Sequence, residues 1–198
     1  MADYKYDIFI SYRNLPGVRD WVRVAFYKAL VAKLSASLTW PPAIFLDSHL
    51  EVGDWWNSRI RDALRHSKLL IAILMPAYDQ SGWCRAEFSS IEEREKVLGR
   101  YQIEGQGLVV PVAYSKKELL PPSACARKPA EFWKHTYTGE AFLRSERYLD
   151  FEDAMTTLAT TIADLLMNQI PPWSDQWPVV DPATLQIIPA PPSGPPSL

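Results

Sequence analysis

The chain has 198 residues, of which 47% are hydrophobic and 22% charged, and this composition is that of a globular protein with room for one ordinary domain. Its formal net charge of −2 excludes the positive field with which proteins attract nucleic acid or an anionic membrane surface. Two cysteines, Cys84 and Cys125, and three scattered histidines argue against a disulfide framework and a structural metal site. No apolar run approaches the roughly 20 residues that span a bilayer, so we expect a cytoplasmic protein without membrane or direct nucleic-acid partners.

The first half of the chain alternates between strand and helix patterns. Residues 6–12 form a short run of β-forming residues that ends in polar side chains, as a strand opening into a loop does. Apolar residues then recur close to every 3.6 positions over residues 18–38, which predicts a long amphipathic helix. A brief second strand is predicted at 43–47, followed by a loop at 48–52 and by a helix that begins near Gly53.

The second half continues this alternation. Residues 68–75 are apolar throughout, which is typical of a strand buried on both faces of a parallel sheet. Ser81 can cap the next helix. A fourth strand is predicted at 108–114 and a short fifth at 148–151, before a last helix that carries Met155. The buried side of the helix after Ser81 is assigned to Cys84, Phe88, Ile91 and Leu98.

Five alternations of strand and helix predict an α/β fold, with a five-stranded parallel sheet and helices on both faces. In such sheets ligands bind beyond the carboxyl ends of the strands. The loops after Tyr12, Asp47 and Met75 would all emerge at that edge. Trp83 and Glu87 follow the third of these strands, so the order of elements places them near the expected cleft.

The last 28 residues differ from the rest, because nine of them are prolines and charges are nearly absent. This composition predicts a semi-rigid tail or linker over residues 171–198, after a domain over residues 1–170. We expect it to lead to another domain of a longer protein, or to dock on a partner.

Familiar nucleotide-binding and catalytic motifs are missing from the sequence. There is no G-x-G-x-x-G after the first strand and no G-x-x-x-x-G-K, so phosphates would need another cradle. Nucleophile-elbow, H-E-x-x-H and paired-cysteine motifs are also missing, which argues against ordinary hydrolases and metalloenzymes.

Trp83 and Glu87 are four residues apart, a spacing that puts both side chains on one side of a helix. An aromatic face can stack on a planar heterocycle, while a carboxylate holds a sugar hydroxyl or faces a developing positive charge. An aromatic ring and a carboxylate together are suited to the cleavage of a glycosidic bond. The same spacing also arises at the edge of a core, but its place after a buried third strand favours the functional interpretation.

Other polar residues allow two interpretations each. Arg13 offers a charged fork for a phosphate or a carboxylate, or else forms a surface ion pair. Asp47 either binds a ribose hydroxyl or caps a turn. Cys84 falls on the apolar stripe and is assigned to the core rather than to a nucleophile. Residues 92–96, reading EEREK, are expected to form a solvated helix face with internal ion pairs.

Four motifs, in the same order and spacing, resemble those of a TIR (Toll/interleukin-1 receptor) domain of the bacterial type. They are residues 6–12 (YDIFISY), residues 45–47 (FLD) with 50–53 (LEVG), Ser67 with residues 70–76 (LIAILMP), and residues 81–88 (SGWCRAEF). The resemblance covers roughly residues 4–170 and leaves the tail unexplained. It implies a flavodoxin-like three-layer fold.

The resemblance also implies an activity. Enzymatic members of the family split NAD into nicotinamide and ADP-ribose or a cyclic form, with NAD as substrate and with neither cofactor nor metal. The essential glutamate of their Trp-x-x-x-Glu pattern corresponds to Glu87, which becomes the candidate catalytic residue. Trp83 would stack on the nicotinamide or pack beside the ribose. The candidate substrate-binding residues are Ser11, Tyr12, Arg13, Asp47, Leu50 and Trp83.

Residues 47–55 correspond to the BB loop of the family, which in active assemblies helps to complete a neighbour's site. Its candidate self-association residues are Glu51, Val52, Gly53 and Trp55. The resemblance therefore implies activation by oligomerisation, with other copies of the chain and an appended or partner sensor domain as partners. The implied setting is bacterial, anti-phage immunity.

Two other functions stay open. Some members of the family are non-catalytic scaffolds that only bind further TIR domains in signalling. A nucleoside 2-deoxyribosyltransferase-like enzyme, with Glu87 as a nucleophile, is a more distant alternative. The loop contains Trp55-Trp56 and lacks the Arg-Asp-x-x-Pro-Gly pattern of animal receptor members, which counts against receptor-type signalling more than against catalysis.

Overall fold

Within the described residues, five parallel strands form one sheet. The structure is a computed structural model that describes residues 3–46, 54–101, 107–120 and 126–185, with the backbone alone described for 54–57. The strands are β1 (Tyr6–Tyr12), β2 (Ile44–Leu46), β3 (Ser67–Leu74), β4 (Val109–Ala113) and β5 (Ala130–Glu131). Their order, β2-β1-β3-β4-β5, is that of flavodoxin-like folds and confirms the predicted fold class.

Helices connect β1 to β2, β2 to β3 and β3 to β4, as the sequence predicts. The described helices are α1 (Pro16–Trp21), a π-helical segment (Val22–Phe26), α2 (Tyr27–Ser37), α3 (Asp54–Arg65), α4 (Gly82–Val97), α5 (Glu140–Leu143) and α6 (Glu146–Asn168), with short 3-10 helices at Lys117–Leu119 and Pro182–Thr184. The first three follow one another without a break and match the long helix predicted at 18–38. Pro16 is the first residue of α1. Proline suits this position because an N–H at the start of a helix has no hydrogen-bond partner within the helix. No described helix is long and apolar enough to cross a membrane.

The sheet separates two hydrophobic cores, since successive side chains of a strand point to opposite faces. Ile8 and Ile10 of β1 pack in a first core with residues of α1, α2 and α6. Phe9, between them, packs in a second core with residues of α3 and α4. Helices thus cover both faces, and the fold has three layers.

The neighbouring strands β1 and β3 define the position of the candidate site. In the sheet, β2 lies on one side of β1 and β3 lies on the other. The direction in which successive strands are added therefore reverses between β1 and β3. Their register pairs Ser11 with Ala72 and Tyr12 with Ile73, close to the carboxyl ends of both strands. Ligands of doubly wound sheets bind in the crevice at this switch point.

The prediction of a fifth strand at 148–151 is wrong. Tyr148 and Phe151 belong to α6, and the fifth strand is Ala130–Glu131. Tyr148, Phe151 and Met155 follow a helical period that continues along α6, where Phe151 and Met155 are buried. A strand of two residues is too short to give a pattern of its own.

The prediction of a solvated face at residues 92–96 is also wrong for two of the five. The side chains of Arg94 and Glu95 are fully buried, whereas Glu93 and Lys96 form a surface ion pair at 2.6 Å. A run of positive and negative residues in a sequence does not show which side chains will be buried and hydrogen-bonded to the backbone.

The described part of the predicted tail, residues 171–185, packs against the domain. Trp173 stacks on His66 with ring centroids 5.2 Å apart. Asp181 forms an ion pair with Arg61 of α3 at 2.6 Å. The boundary after residue 170 stays a prediction, but this part of the tail is held by α3 and α4.

Candidate functional site

Glu87 lies in the second turn of α4, and its side chain is 7% exposed. Ser81 begins the helix as predicted, because its Oγ accepts the amide hydrogen of Cys84 at 3.3 Å. Cys84, Phe88 and Ile91 anchor α4 in the second core, as predicted. This anchoring holds the Glu87 carboxylate against the carboxyl end of β1.

Ser11 is a direct partner of Glu87. Ser11 lies near the end of β1 on the same face as Phe9, which points toward the core that α4 shares. Its hydroxyl donates to Oε2 of Glu87 at 2.5 Å, at the short end of the range for a hydrogen bond between a hydroxyl and a carboxylate. The structure therefore brings together two predicted site residues that are 76 positions apart in the sequence.

Tyr78 is a third member of this cluster, and its sequence position did not predict it. Its hydroxyl lies 2.7 Å from Oγ of Ser11, and the residue is 1% exposed. Burial raises the pKa of Tyr78 well above its usual range, so the side chain is a neutral phenol. The available signal was a tyrosine in the loop after the third strand, which packing alone also explains.

Cys84 and Arg13 also act on this cluster. Burial raises the pKa of the Cys84 thiol to about 12, and the neighbouring Glu87 carboxylate adds to this rise. The charge of Arg13, which follows β1, opposes the rise. Cys84 is thus a neutral thiol in a core position, as the sequence favoured.

Tyr12 and Trp83 lie close to the cluster but in different surroundings. Tyr12 packs partly against the first core, on the sheet face opposite to Ser11. Trp83 packs partly against the second core, one turn before Glu87. Both residues are half-buried, so each ring is anchored on one side and accessible in part.

Several predicted site residues lie outside the described residues. They are Asp47, Leu50, Glu51, Val52 and Gly53, while Trp55 belongs to the part of α3 whose backbone alone is described. Their substrate-binding and self-association roles stay predictions. In the parts of the chain that are described, no three His, Cys, Asp or Glu side chains are grouped so as to hold a metal ion.

The arrangement has a definite chemical capacity. A buried carboxylate whose orientation is fixed by a hydroxyl can stabilise a developing positive charge without reorganising during the reaction. It can also accept hydrogen bonds from sugar hydroxyls. It lies at the switch point between β1 and β3, where ligands of doubly wound sheets bind.

Known proteins share parts of this sequence and fold. The model of the TIR domain family matches residues 8–145. The Brachypodium distachyon protein named probable 2′ cyclic ADP-D-ribose synthase BdTIR is 27% identical over 124 residues, which are 61% of this chain and 52% of that protein. The chain thus spans about half the length of this relative. The TIR domains of the activated Roq1 resistosome that recognises the pathogen effector XopQ match 79% of this chain and 84% of theirs, at 22% identity and a TM-score of 0.40.

Proposed function

The chain belongs to the TIR domain family, and from this premise we propose that it cleaves the bond between nicotinamide and ribose in NAD. The family match at residues 8–145 includes Ser11, Tyr78 and Glu87. The name of the Brachypodium relative describes the synthesis of a cyclic ADP-ribose. Such a product keeps the ADP-ribose part of NAD and lacks its nicotinamide, which supports the same bond as the target.

The observation that carries the proposal is the buried Glu87 carboxylate, hydrogen-bonded to Ser11 at the switch point of the sheet. Cleavage breaks the bond between C1′ of the ribose and the nicotinamide nitrogen. The electron pair leaves with nicotinamide and neutralises its positive charge, so the leaving group needs no general acid. C1′ becomes oxocarbenium-like, and a carboxylate beside it stabilises the transition state more than the ground state.

The reaction ends when an oxygen adds to C1′. Addition of water and loss of its proton give ADP-ribose, whereas addition of a hydroxyl of the same substrate gives a cyclic isomer. We assign the stabilising charge to Glu87, and the fixing of that carboxylate to Ser11. Arg13 would bind the pyrophosphate, and Trp83 would pack against the nicotinamide or the ribose.

The remaining predicted roles belong to the same proposal. Tyr12, Asp47 and Leu50 would contact NAD, and the loop residues Glu51 to Trp55 would join copies of the chain into an active assembly. NAD is the substrate, and no resident cofactor is proposed. A cytoplasmic, bacterial immune setting with a sensor domain stays a prediction.

A direct assay of NAD consumption tests the proposal. Wild type, Glu87→Gln and Glu93→Gln are compared at high concentration with a crowding agent, with assembly followed by light scattering and products by chromatography. Glu87→Gln should lower turnover by about 100-fold or more, because it removes the stabilising charge. Glu93→Gln changes an exposed glutamate of the same helix and should stay within about twofold of wild type.

Two results would contradict the proposal. Equal NAD loss in wild type and Glu87→Gln would exclude Glu87 as the source of catalysis. Assembled wild type without NAD loss would favour the non-catalytic scaffold. A covalent sugar adduct on Glu87 would instead identify a transferase-like mechanism.

A further inference from the structure

Tyr78 is connected to Glu87 through one atom, the hydroxyl oxygen of Ser11. This oxygen lies 2.7 Å from the Tyr78 hydroxyl and 2.5 Å from Oε2 of Glu87. An ionised carboxylate only accepts hydrogen bonds, and a serine hydroxyl has one proton to donate. Because Ser11 donates that proton to Glu87, Tyr78 must donate its own proton to Ser11. The chain of donors therefore runs from Tyr78 through Ser11 to Glu87.

The surroundings of these two hydrogen bonds hold the three side chains in place. Tyr78 and Ser11 are each 1% exposed, so water competes little for their hydroxyls. The turn that carries Tyr78 is closed by the hydrogen bond from its amide to the carbonyl of Met75 at 3.0 Å. Its ring meets Phe88 edge-on, with centroids 6.3 Å apart. The phenol is thus fixed by contacts that do not involve Glu87.

We propose that Tyr78 is a positioning residue for NAD cleavage, which holds the Ser11 hydroxyl so that its proton points at the Glu87 carboxylate. Without the phenol, the Ser11 oxygen loses a buried donor and its proton is free to turn away from Glu87. Tyr78 is buried, and its hydrogen bond reaches the Glu87 carboxylate through the Ser11 hydroxyl. This inference rests on the proposed role of Glu87.

The described ionisable groups around Glu87 allow the effect to be read from pH. Cys84 on the same helix and Tyr78 before it both have raised pKa values, so neither titrates in the acidic range. Arg13, which follows β1, is a cation that acts on Cys84 of the cluster. Asp79, next to Tyr78, carries a charge that adds to the raised pKa of Tyr78. Glu87 is the carboxylate that accepts from Ser11, so we assign an acidic limb in the rate of NAD cleavage to it.

Tyr78→Phe removes the hydroxyl and keeps the ring against Phe88. We expect kcat to fall by about three- to tenfold, with KM within about twofold of wild type. The reason is that the hydrogen bond from Tyr78 to Ser11, the residue that positions Glu87, is lost. The acidic limb of kcat should move up by about 0.5–1 pH unit, because the charged form of Glu87 is less stabilised. Tyr148→Phe on α6 removes a hydroxyl outside the cluster and should change neither quantity.

A double-mutant cycle separates positioning from packing. Once Ser11→Ala has removed the connecting hydroxyl, adding Tyr78→Phe should lower kcat no further. A further loss equal to that in wild type would overturn the inference, and so would an unchanged acidic limb in Tyr78→Phe. Thermal unfolding of each variant checks that the fold is kept.

A second measurement does not depend on NAD. Titration of the isotope-labelled Glu87 carboxyl by NMR should show a higher pKa in Tyr78→Phe than in wild type, by about the same 0.5–1 unit. An unchanged carboxyl pKa would overturn the inference. Failure of the proposed function would look different, since wild type would then leave NAD intact while the NMR shift remained.

Discussion

Arg94 and Glu95 are adjacent residues of α4 that bury opposite charges, and each bonds to the backbone at the start of a strand. Arg94 donates to the carbonyl of Ser67, the first residue of β3, at 2.7 Å. Glu95 accepts from the amides of Leu108 and Val109, at the start of β4, at 2.5 and 2.9 Å. Buried charges persist when such partners satisfy them. The pair therefore ties α4 to two neighbouring strands of the sheet.

Replacing Glu95 should be strongly destabilising. Glu95→Ala leaves the amides of Leu108 and Val109 without this acceptor, and it leaves Arg127, 2.7 Å from the carboxylate, without this partner. We expect the free energy of unfolding, measured with urea, to fall by about 3–5 kcal/mol. Glu93→Ala removes an exposed glutamate of the same helix and should change stability by less than about 1 kcal/mol. Equal losses in the two variants would contradict the assignment.

At the scale of elements, the tail segment 171–185 forms a covering layer on α4. The amide of Val180 donates to Oγ of Ser90 at 2.8 Å. Trp177 lies over the guanidinium of Arg94, with the ring centroid 5.1 Å from Cζ. Burial lowers the pKa of Arg94 to about 10, so the group stays charged near neutral pH and the ring faces a cation. The tail thus stabilises the helix that carries Glu87.

Trp177→Ala tests this layer. The ring is 7% exposed, and its loss removes both apolar burial and the contact with the Arg94 cation. We expect the free energy of unfolding to decrease by about 3–5 kcal/mol, as for other buried tryptophans. Trp173→Ala, in the same segment but half-buried, should have a smaller effect. If neither variant altered the urea midpoint, the tail would be a dispensable appendage.

At the scale of the whole molecule, the strands and helices that have a long local sequence pattern could be predicted. The apolar run of β3, the long helix after β1 and the Ser81 cap are local features, and the structure has all three. The strand Ala130–Glu131 is too short to leave a pattern. Ser11 and Glu87 were each predicted, but Tyr78 and the hydrogen bonds that join the three arise only from folding.

His135 connects the region after β5 to Trp21 of α1. Its carbonyl accepts from the indole Nε1 of Trp21 at 2.8 Å. Its ring packs against Phe132 and Phe151, and the residue is 8% exposed. Nδ1 has no hydrogen-bond partner among the residues that the structure describes. Burial consequently lowers the pKa of His135, because the charged ring is poorly solvated there.

This lowered pKa makes global stability depend on pH. As the pH falls through about 6.5, the unfolded chain binds a proton that folded His135 resists, so unfolding becomes easier by at most about 1.4 kcal/mol per pH unit. His135→Phe keeps a ring in the core and should flatten the urea stability profile between about pH 7 and 5. Glu152, whose pKa Lys33 lowers, loses its stabilising effect only in a more acidic range. Identical slopes in wild type and His135→Phe would show that His135 does not set this dependence.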